Sequence, residues 1–246
     1  MDQTLETRLS NLEATVQSLS KQLEEKDRRI RDLEDIEAIK RLQCAYGYYL
    51  EHWMSDEIID LFADRPETSA TFVEGTYLGI EGVRRYFGKM KVAPPNFLHM
   101  VMQVSPVITL GGDGVSAKGR FYGYGTICSA PVDGKIDPMY MAVIYEMDFI
   151  KENGVWKILK LAFQMHYAYK TLMPYTAPAS PPSAEAPRDE MADMKLSPDI
   201  WAEYNTQYPS GYIYPMHFVH PVTGKETSEN AVNAALKLDP SPFKPK

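Results

Sequence analysis

The dipeptide Asn153-Gly154 is the feature that most constrains the fold of this chain. It joins two segments in which apolar and polar residues alternate, MYMAVIYEMDFIKE at 139–152 and WKILKLAFQMHYAYK at 156–170. Asn-Gly favours the tight turn that connects antiparallel strands, because both residues tolerate positive φ. Upstream, HMVMQVSPVITL and VSAKGRFYGYGTIC flank a GGDG turn at 111–114. The sequence therefore predicts two consecutive hairpins in an antiparallel meander.

Helical periodicity precedes this meander. Apolar or aromatic residues recur at helical spacing in a first predicted helix, at Ile36, Ile39, Tyr46, Leu50 and Trp53. Ser55 is a candidate N-cap for a second helix, and GIEGVRRYFGKM at 79–90 predicts a third. Residues 71–77 between them predict one short strand. Three helices followed by a meander indicate an α+β fold in which the sheet curls over the helices.

Residues 1–34 carry the heptad pattern of a coiled coil. Apolar residues alternate at spacings of three and four, with Lys26 at one core position, through Leu5, Leu9, Leu12, Val16, Leu19, Leu23, Ile30 and Leu33. The segments RLSNLE at 8–13 and RIRDLE at 29–34 resemble the Arg-apolar-x-x-apolar-Glu pattern of trimeric coiled coils. We expect a homotrimer, with a homodimer as the alternative. A solvated single helix is a further alternative, although it would leave the leucines in water.

The composition changes after Tyr169. Residues 176–190 (TAPASPPSAEAPRDE) predict a linker or a strap on the surface, since such a segment buries little. Residues 201–224 are rich in aromatics and are expected to pack on this subunit or a neighbour, with His217 and His220 in structural roles. The chain thus divides into a coiled-coil oligomerisation helix (1–34), a central domain (35–172) and a Pro- and aromatic-rich C-terminal arm (173–246).

Charge and cysteine content exclude several classes of protein. The net charge is −7 and the chain has no long basic block, which argues against nucleic-acid binding. Cys44 and Cys128 form neither a disulfide framework nor a metal-ligand spacing, so a reducing compartment is expected. No apolar run approaches the roughly 20 residues that span a bilayer, and no signal core precedes the heptads. We expect a cytoplasmic protein without membrane partners.

An ordered set of short motifs resembles the SnoaL-like branch of the nuclear transport factor 2 (NTF2) superfamily, over residues 35–170. The motifs are IEAIKRLQCAYGYYLE, DEIIDLFAD, YLGIEGVRRYF, a histidine that opens a strand (His99), and ENGVWKI. The resemblance implies an NTF2-like cone, a curved antiparallel sheet wrapped on three helices around a deep apolar pocket. The superfamily includes scytalone dehydratase, polyketide cyclases, ketosteroid isomerase, bile-acid dehydratase, cofactorless formaldehyde lyases of lignin-derived diaryl compounds, and non-catalytic transport proteins. Fold alone therefore does not decide function.

The resemblance also implies an acid–base pair. Glu51 and His99 stand where scytalone dehydratase-like members place an aspartate on the first helix and a histidine that opens a strand. In a dry pocket the carboxylate would fix the tautomer of the histidine and raise its basicity. The alternative is that Glu51 is solvated at a helix end and that His99 is a hydrogen-bonded strand histidine.

Tyrosines complete the predicted site. A phenol offers an apolar face to an aromatic substrate and a hydroxyl to its oxygen. Alternation puts Arg120, Tyr122 and Tyr124 on one strand face, but periodicity does not tell whether that face lines the pocket. Arg120 either neutralises a phenolate or is a surface or interface charge, and His166 carries the same ambiguity. We predict catalytic roles for Glu51, His99, Tyr46 and Arg120, and substrate contacts from Tyr49, Tyr122, Tyr124, Tyr145, His166 and Tyr167.

The predicted activity combines what the family resemblance implies, this site and what the sequence lacks. Leu50 and Ile127 occupy positions where scytalone dehydratase has a tyrosine and a second histidine, so an identical dehydratase is not expected. The chain has no P-loop, dinucleotide fingerprint or metal triad, and we expect neither a cofactor nor a metal. We predict a cofactor-independent lyase that removes water, or water and formaldehyde, from a hydrophobic phenolic or diaryl substrate. The alternatives are a dehydratase, isomerase or cyclase of a polyketide or steroid, and a non-catalytic ligand-binding or assembly protein.

Overall fold

The computed structural model describes residues 2–91, 93, 97–128, 135–170, 173–174, 200–202, 213, 216–235 and 243–245. Four helices are described in these segments: α1 (Asp2–Glu51), α2 (Ser55–Asp60), α3 (Gly79–Phe87) and α4 (Glu229–Ala235). The strands are β1 (Ser69–Phe72), β2 (Gly75–Leu78), β3 (Leu98–Leu110), β4 (Ser116–Cys128), β5 (Lys135–Ile136), β6 (Met139–Glu152), β7 (Val155–Lys170), β8 (Met173–Pro174), β9 (Ile200–Ala202) and β10 (Phe243–Pro245).

A six-stranded sheet with the order β2-β1-β7-β6-β4-β3 forms the body of the protein. Neighbouring strands within this sheet are antiparallel, except β1 and β7, which run parallel. Both predicted hairpins are confirmed: β3 pairs with β4, and β6 pairs with β7 in a register that places Glu152 opposite Val155. Asn153 and Gly154 adopt φ values of 51° and 82°, as a type I′ turn requires.

Two local predictions are wrong. The stretch expected to form one strand is a hairpin of β1 and β2, because Gly75 takes a φ of 144° and turns the chain after Phe72. Ser55 is not an N-cap: α2 begins at Ser55 itself, with Met54 at the cap position and no side-chain cap bond. The Ser55 side chain is buried.

The inner face of β4 explains how the sheet curls. Buried positions hold small residues or one phenylalanine, namely Ala117, Gly119, Phe121, Gly123 and Gly125, and they alternate with exposed ones. A Cβ atom at Gly123 would lie 2.4 Å from Val143 Cγ2, and one at Gly125 would lie 1.8 Å from the carbonyl oxygen of Met100. Glycine is required at 125 because the backbone of β3 lies too close for any side chain, and at 123 because the Val143 side chain fills the space. The predicted curved α+β sheet packed against helices is confirmed.

Helix α1 is continuous through the expected boundary at 34/35 and carries both the heptads and the first helix of the cone. Asp35 fixes it to the β6–β7 hairpin, since Asp35 Oδ1 accepts hydrogen bonds from Lys151 Nζ at 2.6 Å and from Trp156 Nε1 at 2.8 Å. The apolar heptad side chains are each at least 53% exposed in the single chain. They form one stripe that no described residue covers.

The described part of the C-terminal arm packs on α1 and α2. The ring of His220 stacks on Tyr49, with ring centroids 5.5 Å apart, and its Nε2 lies 2.9 Å from the carbonyl oxygen of Glu57. The Ser228 amide donates to Glu57 Oε1 at 2.9 Å. His220 thus has the structural surroundings expected for it, whereas His217 is exposed. The predicted strap at 176–190 lies outside the described residues.

Candidate active site

A cavity of about 160 Å³ lies between α1, α3 and the concave face of the sheet. Its polar lining consists of Tyr46, Glu74, Tyr86, His99 and Tyr145. The remaining walls are apolar and rich in methionine, formed by Leu50, Phe72, Val73, Met90, Val101, Ile127, Met139, Met141, Phe163 and Met165. Such an apolar pocket with a few convergent polar groups is typical of a small-molecule site.

His99 opens β3 and lines this cavity. Its Nδ1 lies 2.9 Å from the indole Nε1 of Trp53, which donates a hydrogen bond to it. Burial lowers the pKa of His99 to about 4, because a charged imidazolium loses its hydration in these surroundings. The ring is therefore uncharged at neutral pH.

Tyr46 and Tyr145 form a fully buried pair in the cavity wall. Burial raises the pKa of Tyr145 to about 12, and it raises the pKa of Tyr46 well above its ordinary value, with a further contribution from the nearby Tyr145. Both phenols stay protonated at neutral pH. Within the described part of the chain, the Tyr46 hydroxyl interacts with the Tyr145 hydroxyl but has no hydrogen bond of ordinary length and angle. A buried hydroxyl with so incomplete a hydrogen bond in a cavity wall is a group that a bound ligand can satisfy.

A chain of two glutamines continues this polar cluster toward α1. The Gln43 amide donates to Gln103 Oε1 at 2.8 Å, and Gln103 Nε2 donates to the Val101 carbonyl at 3.0 Å. Gln103 also interacts with the Tyr145 hydroxyl, which offsets part of the rise in the pKa of that phenol. These contacts hold Tyr145 in place beneath an otherwise apolar pocket.

Glu51 does not share the cavity with His99. It lines a separate cleft of about 140 Å³ between α1 and β3, beside Cys44, Gly47 and Tyr48. Burial raises the pKa of Glu51. No hydrogen bond or ion pair joins Glu51 to His99 among the described residues. The reason is rotation along the helix: Cys44, Tyr48 and Glu51 form one stripe, whereas Tyr46 and Leu50 form the stripe that faces the cavity.

The outer faces of the sheet hold most of the other predicted site residues. Arg120, Tyr122 and Tyr124 lie on the exposed face of β4, and Arg120 forms an ion pair with Glu146 of β6. His166 and Tyr167 lie on the exposed end of β7. The structure therefore places these five residues away from the cavity. For the three residues of β4, the reason is that the buried face of this strand is the one that carries glycines.

Tyr49 is buried, but on another side of α1. Its ring stacks on His220 of the arm, and burial raises its pKa. Of the predicted site residues, Tyr46, His99 and Tyr145 line the cavity together.

The structure adds Trp53, Glu74 and Tyr86 to the site. In the sequence Trp53 continues the helical spacing of Tyr46 and Leu50, which was a partial signal for it. However, α1 ends at Glu51, and Trp53 follows as the left-handed residue after the helix. Glu74 stands at the cavity rim on the β1–β2 turn, where it accepts a hydrogen bond from Tyr77 Oη at 3.2 Å. No sequence signal pointed to Glu74, because its place depends on how that hairpin folds over the mouth. Burial raises the pKa of Tyr86, and electrostatic repulsion from the nearby Glu74 raises it further.

Two kinds of feature are absent from the described segments. They contain no group of three or more His, Cys, Asp or Glu side chains placed to hold a metal ion. None of their helices is both long and apolar enough to cross a bilayer.

Comparison with known proteins identifies the family. No curated protein sequence matches the chain significantly. Similar solved structures include the hexachlorocyclohexane dehydrochlorinase LinA-type3 from Novosphingobium barchaimii, with 18% identity, a TM-score of 0.49, and coverage of 61% of this chain and 99% of that one. A candidate scytalone dehydratase from Novosphingobium aromaticivorans has 15% identity, a TM-score of 0.48, and coverage of 65% and 99% respectively.

An NTF2-like superfamily protein from Salmonella enterica is also similar, with 16% identity, a TM-score of 0.41, and coverage of 62% of this chain and 96% of that one. The model of the SnoaL-like domain family matches residues 31–162, which is more than half of the chain. The resemblance of the sequence motifs to SnoaL-like proteins is thus confirmed, and the chain belongs to the SnoaL-like domain family.

Proposed function

We propose that this protein is a cofactor-independent lyase that removes water, or water and formaldehyde, from a hydrophobic aromatic molecule bound in the cavity. The observation that carries the proposal is the convergence of His99, Tyr46 and Tyr145 in one apolar pocket. An uncharged imidazole and two protonated phenols offer hydrogen bonds to oxygens without the cost of burying a charge.

The chemistry needs a group that accepts a proton and a group that hydrogen-bonds the departing oxygen. Loss of water from a benzylic alcohol breaks the C–O bond, and the proton that the phenol loses leaves on the water, so a quinone methide remains. Loss of formaldehyde then breaks the adjacent C–C bond. The hydroxymethyl O–H proton is released as its electrons form the carbonyl of formaldehyde, and the electrons of the broken C–C bond form the new C=C bond. The quinone-methide π electrons return to the ring as a phenolate, which takes up the released proton. No oxidant or reductant is consumed. Glu74 and His99 are the lining groups suited to these transfers.

A diaryl diol fits the character of the walls. Phe72, Phe163 and four methionines surround the polar cluster, and flexible thioethers adapt to aromatic faces. A diarylpropane-1,3-diol would release water and formaldehyde and leave a stilbene. A compound of this kind derived from lignin is the substrate class we propose, in agreement with the resemblance of the sequence to the formaldehyde lyases.

The test uses the full chain, purified without added cofactor or metal. It is incubated with a panel of diaryl diols while stilbene absorbance and released formaldehyde are followed. We expect turnover that is lost in His99→Ala and retained in Glu51→Gln, since Glu51 lines a different cleft. Loss of turnover in Glu51→Gln with His99→Ala unaffected would contradict this assignment of the site.

A non-catalytic ligand-binding protein is the second candidate. The separation of Glu51 from His99 favours it, because the acid–base pair expected from the family resemblance is not assembled. Saturable binding of the same aromatics without any product would support this function over the lyase.

We also propose that the chain assembles as a parallel homotrimer through residues 5–33 of α1. The exposed apolar stripe requires a partner, and the charges beside it suit a second copy of the same helix. In a parallel alignment Arg8 would stand beside Glu13 of a neighbouring copy, and Arg29 beside Glu34. The core lysine, Lys26, would fix the register at a cost in stability, because a shifted alignment would set its ammonium group against apolar core side chains.

A further inference from the structure

We propose that Trp53 is a positioning residue that holds His99 as a hydrogen-bond donor, with the imidazole proton on Nε2 and Nδ1 turned to the indole. The inference rests on the proposed lyase site and assigns the direction in which His99 acts there. Trp53 does not itself line the cavity, and it acts through its hydrogen bond to the lining residue His99.

The hydrogen bond between Trp53 and His99 determines which nitrogen of the imidazole carries the proton. An indole nitrogen only donates a hydrogen bond, so the 2.9 Å contact from Trp53 Nε1 makes His99 Nδ1 the acceptor. A neutral imidazole with an unprotonated Nδ1 carries its proton on Nε2. Within the described part of the chain no residue bonds to Nε2, and the ring lines the cavity. The free donor of His99 is therefore available to a ligand.

The backbone at Trp53 has a left-handed conformation that is unusual for a tryptophan. The Met54 amide donates to the Tyr49 carbonyl at 3.0 Å, and the Trp53 amide donates to the Leu50 carbonyl at 3.2 Å. This pair of bonds is a Schellman motif that ends α1, and it requires a left-handed residue at the position of Trp53, whose φ is 55°. Glycine is the usual residue there because it has no Cβ. The backbone conformation here favours glycine, so the presence of a tryptophan indicates that its side chain has a function.

Aromatic rings pack around the hydrogen bond between Trp53 and His99. The Phe97 ring contacts both partners, with centroids 5.0 Å from Trp53 and 6.0 Å from His99, at interplanar angles of 66° and 73°. Trp53 itself meets His99 at 6.5 Å and 80°. Three mutually tilted rings restrict rotation of the imidazole, so the hydrogen bond has a defined geometry. Phe97 thereby supports the orientation that Trp53 imposes.

In the proposed reaction His99 and Glu74 then have different roles. His99 cannot accept a proton at Nδ1 without losing the indole bond, and its Nε2 already carries one. It therefore stabilises the negative charge that develops on a departing oxygen, as preorganised donors do in low-dielectric sites. Among the lining groups, the Glu74 carboxylate is then left to accept the substrate proton. The family resemblance had implied a basic histidine, and the contact with Trp53 reverses that role.

The experiment reads the tautomer directly. The full-length protein is labelled with ¹⁵N-histidine, and long-range ¹H–¹⁵N spectra are recorded without substrate between pH 4 and 8. The chain has five histidines, so His99→Gln assigns the signal. We expect Nε2 protonated and Nδ1 unprotonated across the neutral range. A proton on Nδ1, or an equal mixture of tautomers, would overturn the proposal without any variant having to fold.

The variant Trp53→Phe keeps an aromatic ring and removes the donor. We expect it to mix the two tautomers, since Nδ1 loses its hydrogen-bond donor and becomes free to carry the proton. Trp156→Phe is the matched control, because it removes an indole bond to Asp35 remote from His99. An unchanged His99 spectrum in Trp53→Phe would also overturn the proposal.

Turnover separates this inference from the proposed function. If the wild type shows the Nε2 tautomer but processes no diaryl diol, the positioning role stands and the lyase proposal fails. If turnover occurs, Trp53→Phe is expected to lower kcat roughly 10-fold or more with little change in KM, as loss of a transition-state interaction does. A change confined to KM would argue against the assigned role of His99.

Discussion

The Tyr145 ring meets the Tyr46 ring edge to face, with centroids 6.0 Å apart and an interplanar angle of 78°. This contact joins the central strand β6 to helix α1 and brings two protonated hydroxyls into the wall of one cavity. Edge-to-face aromatic pairs contribute about 0.5–1.5 kcal/mol beyond the area that they bury. The pair therefore serves both the core and the site.

Tyr145→Phe separates these two contributions. The variant keeps the ring and removes the hydroxyl, so we expect the fold to be retained and ligand affinity or turnover to fall about 10-fold, corresponding to one lost hydrogen bond of about 1.4 kcal/mol. Titration with the diaryl panel measures the effect. Tyr122→Phe on the exposed face of β4 is the control and should bind as the wild type does. Equal losses in the two variants would contradict the location of the site.

The coiled coil is tested by a charge placed in its stripe. Leu19→Asp puts a carboxylate among apolar side chains, and we expect sedimentation equilibrium to change from a trimer mass to a monomer mass. Gln17→Asp, outside the apolar spacing, should leave the trimer intact. A wild-type monomer at micromolar concentration would refute the assembly.

The attachment of α1 depends on Asp35. Its carboxylate and Lys151 are 16% and 26% exposed, so removal of the acid leaves a half-buried ammonium and an indole N–H without their partner. We expect Asp35→Ala to lower the free energy of unfolding by about 2 kcal/mol, measured by urea denaturation. The exposed pair of Lys40 with Glu37 on the same helix is the control, and Glu37→Gln should cost less than about 0.5 kcal/mol. Similar costs for the two variants would show that Asp35 is not an anchor.

Two partly buried histidines predict acid sensitivity. Burial lowers the pKa of His52 and of His99 from 6.5 to about 4, so the unfolded chain binds more protons than the folded one between these values. The stability contributed by the neutral rings is full above pH 6.5 and is lost as the pH falls toward 4.

Each of these histidines should contribute up to about 1.4 kcal/mol per pH unit in that window. Urea denaturation at several pH values measures the slope, which should fall by one proton in His52→Gln. His166→Gln on the exposed end of β7 is the matched variant. A slope that is identical in wild type and His52→Gln would contradict the burial of this ring.

Gly125→Ala tests the close approach of β3 to β4. The added Cβ would lie 1.8 Å from the Met100 carbonyl oxygen, which is backbone and cannot move aside alone. We expect a loss of about 2 kcal/mol or more, seen as a lower melting temperature. In Gly112→Ala the new Cβ would meet no atom within 4 Å, so stability should be unchanged or slightly higher. Tolerance of Gly125→Ala would mean that the strands do not approach so closely.

The sequence by itself determined the local elements and the family. Both long hairpins, the third helix with Val83 and Phe87 buried, and the heptad stripe followed from periodicity and turn residues, because these signals act between neighbours in the chain. The glycines at alternate positions of β4 also held information. They mark the buried face of a curled sheet, and would have assigned Arg120, Tyr122 and Tyr124 to the outside.

Only the tertiary structure decided which groups meet. A strand has two faces and its period does not say which is inside, while each residue along a helix turns the side chain by about 100°. Glu51 and Trp53 are two residues apart, yet one lines an outer cleft and the other reaches His99, 46 positions away in the chain. Contacts across that separation depend on how helix and sheet pack, which no local pattern encodes.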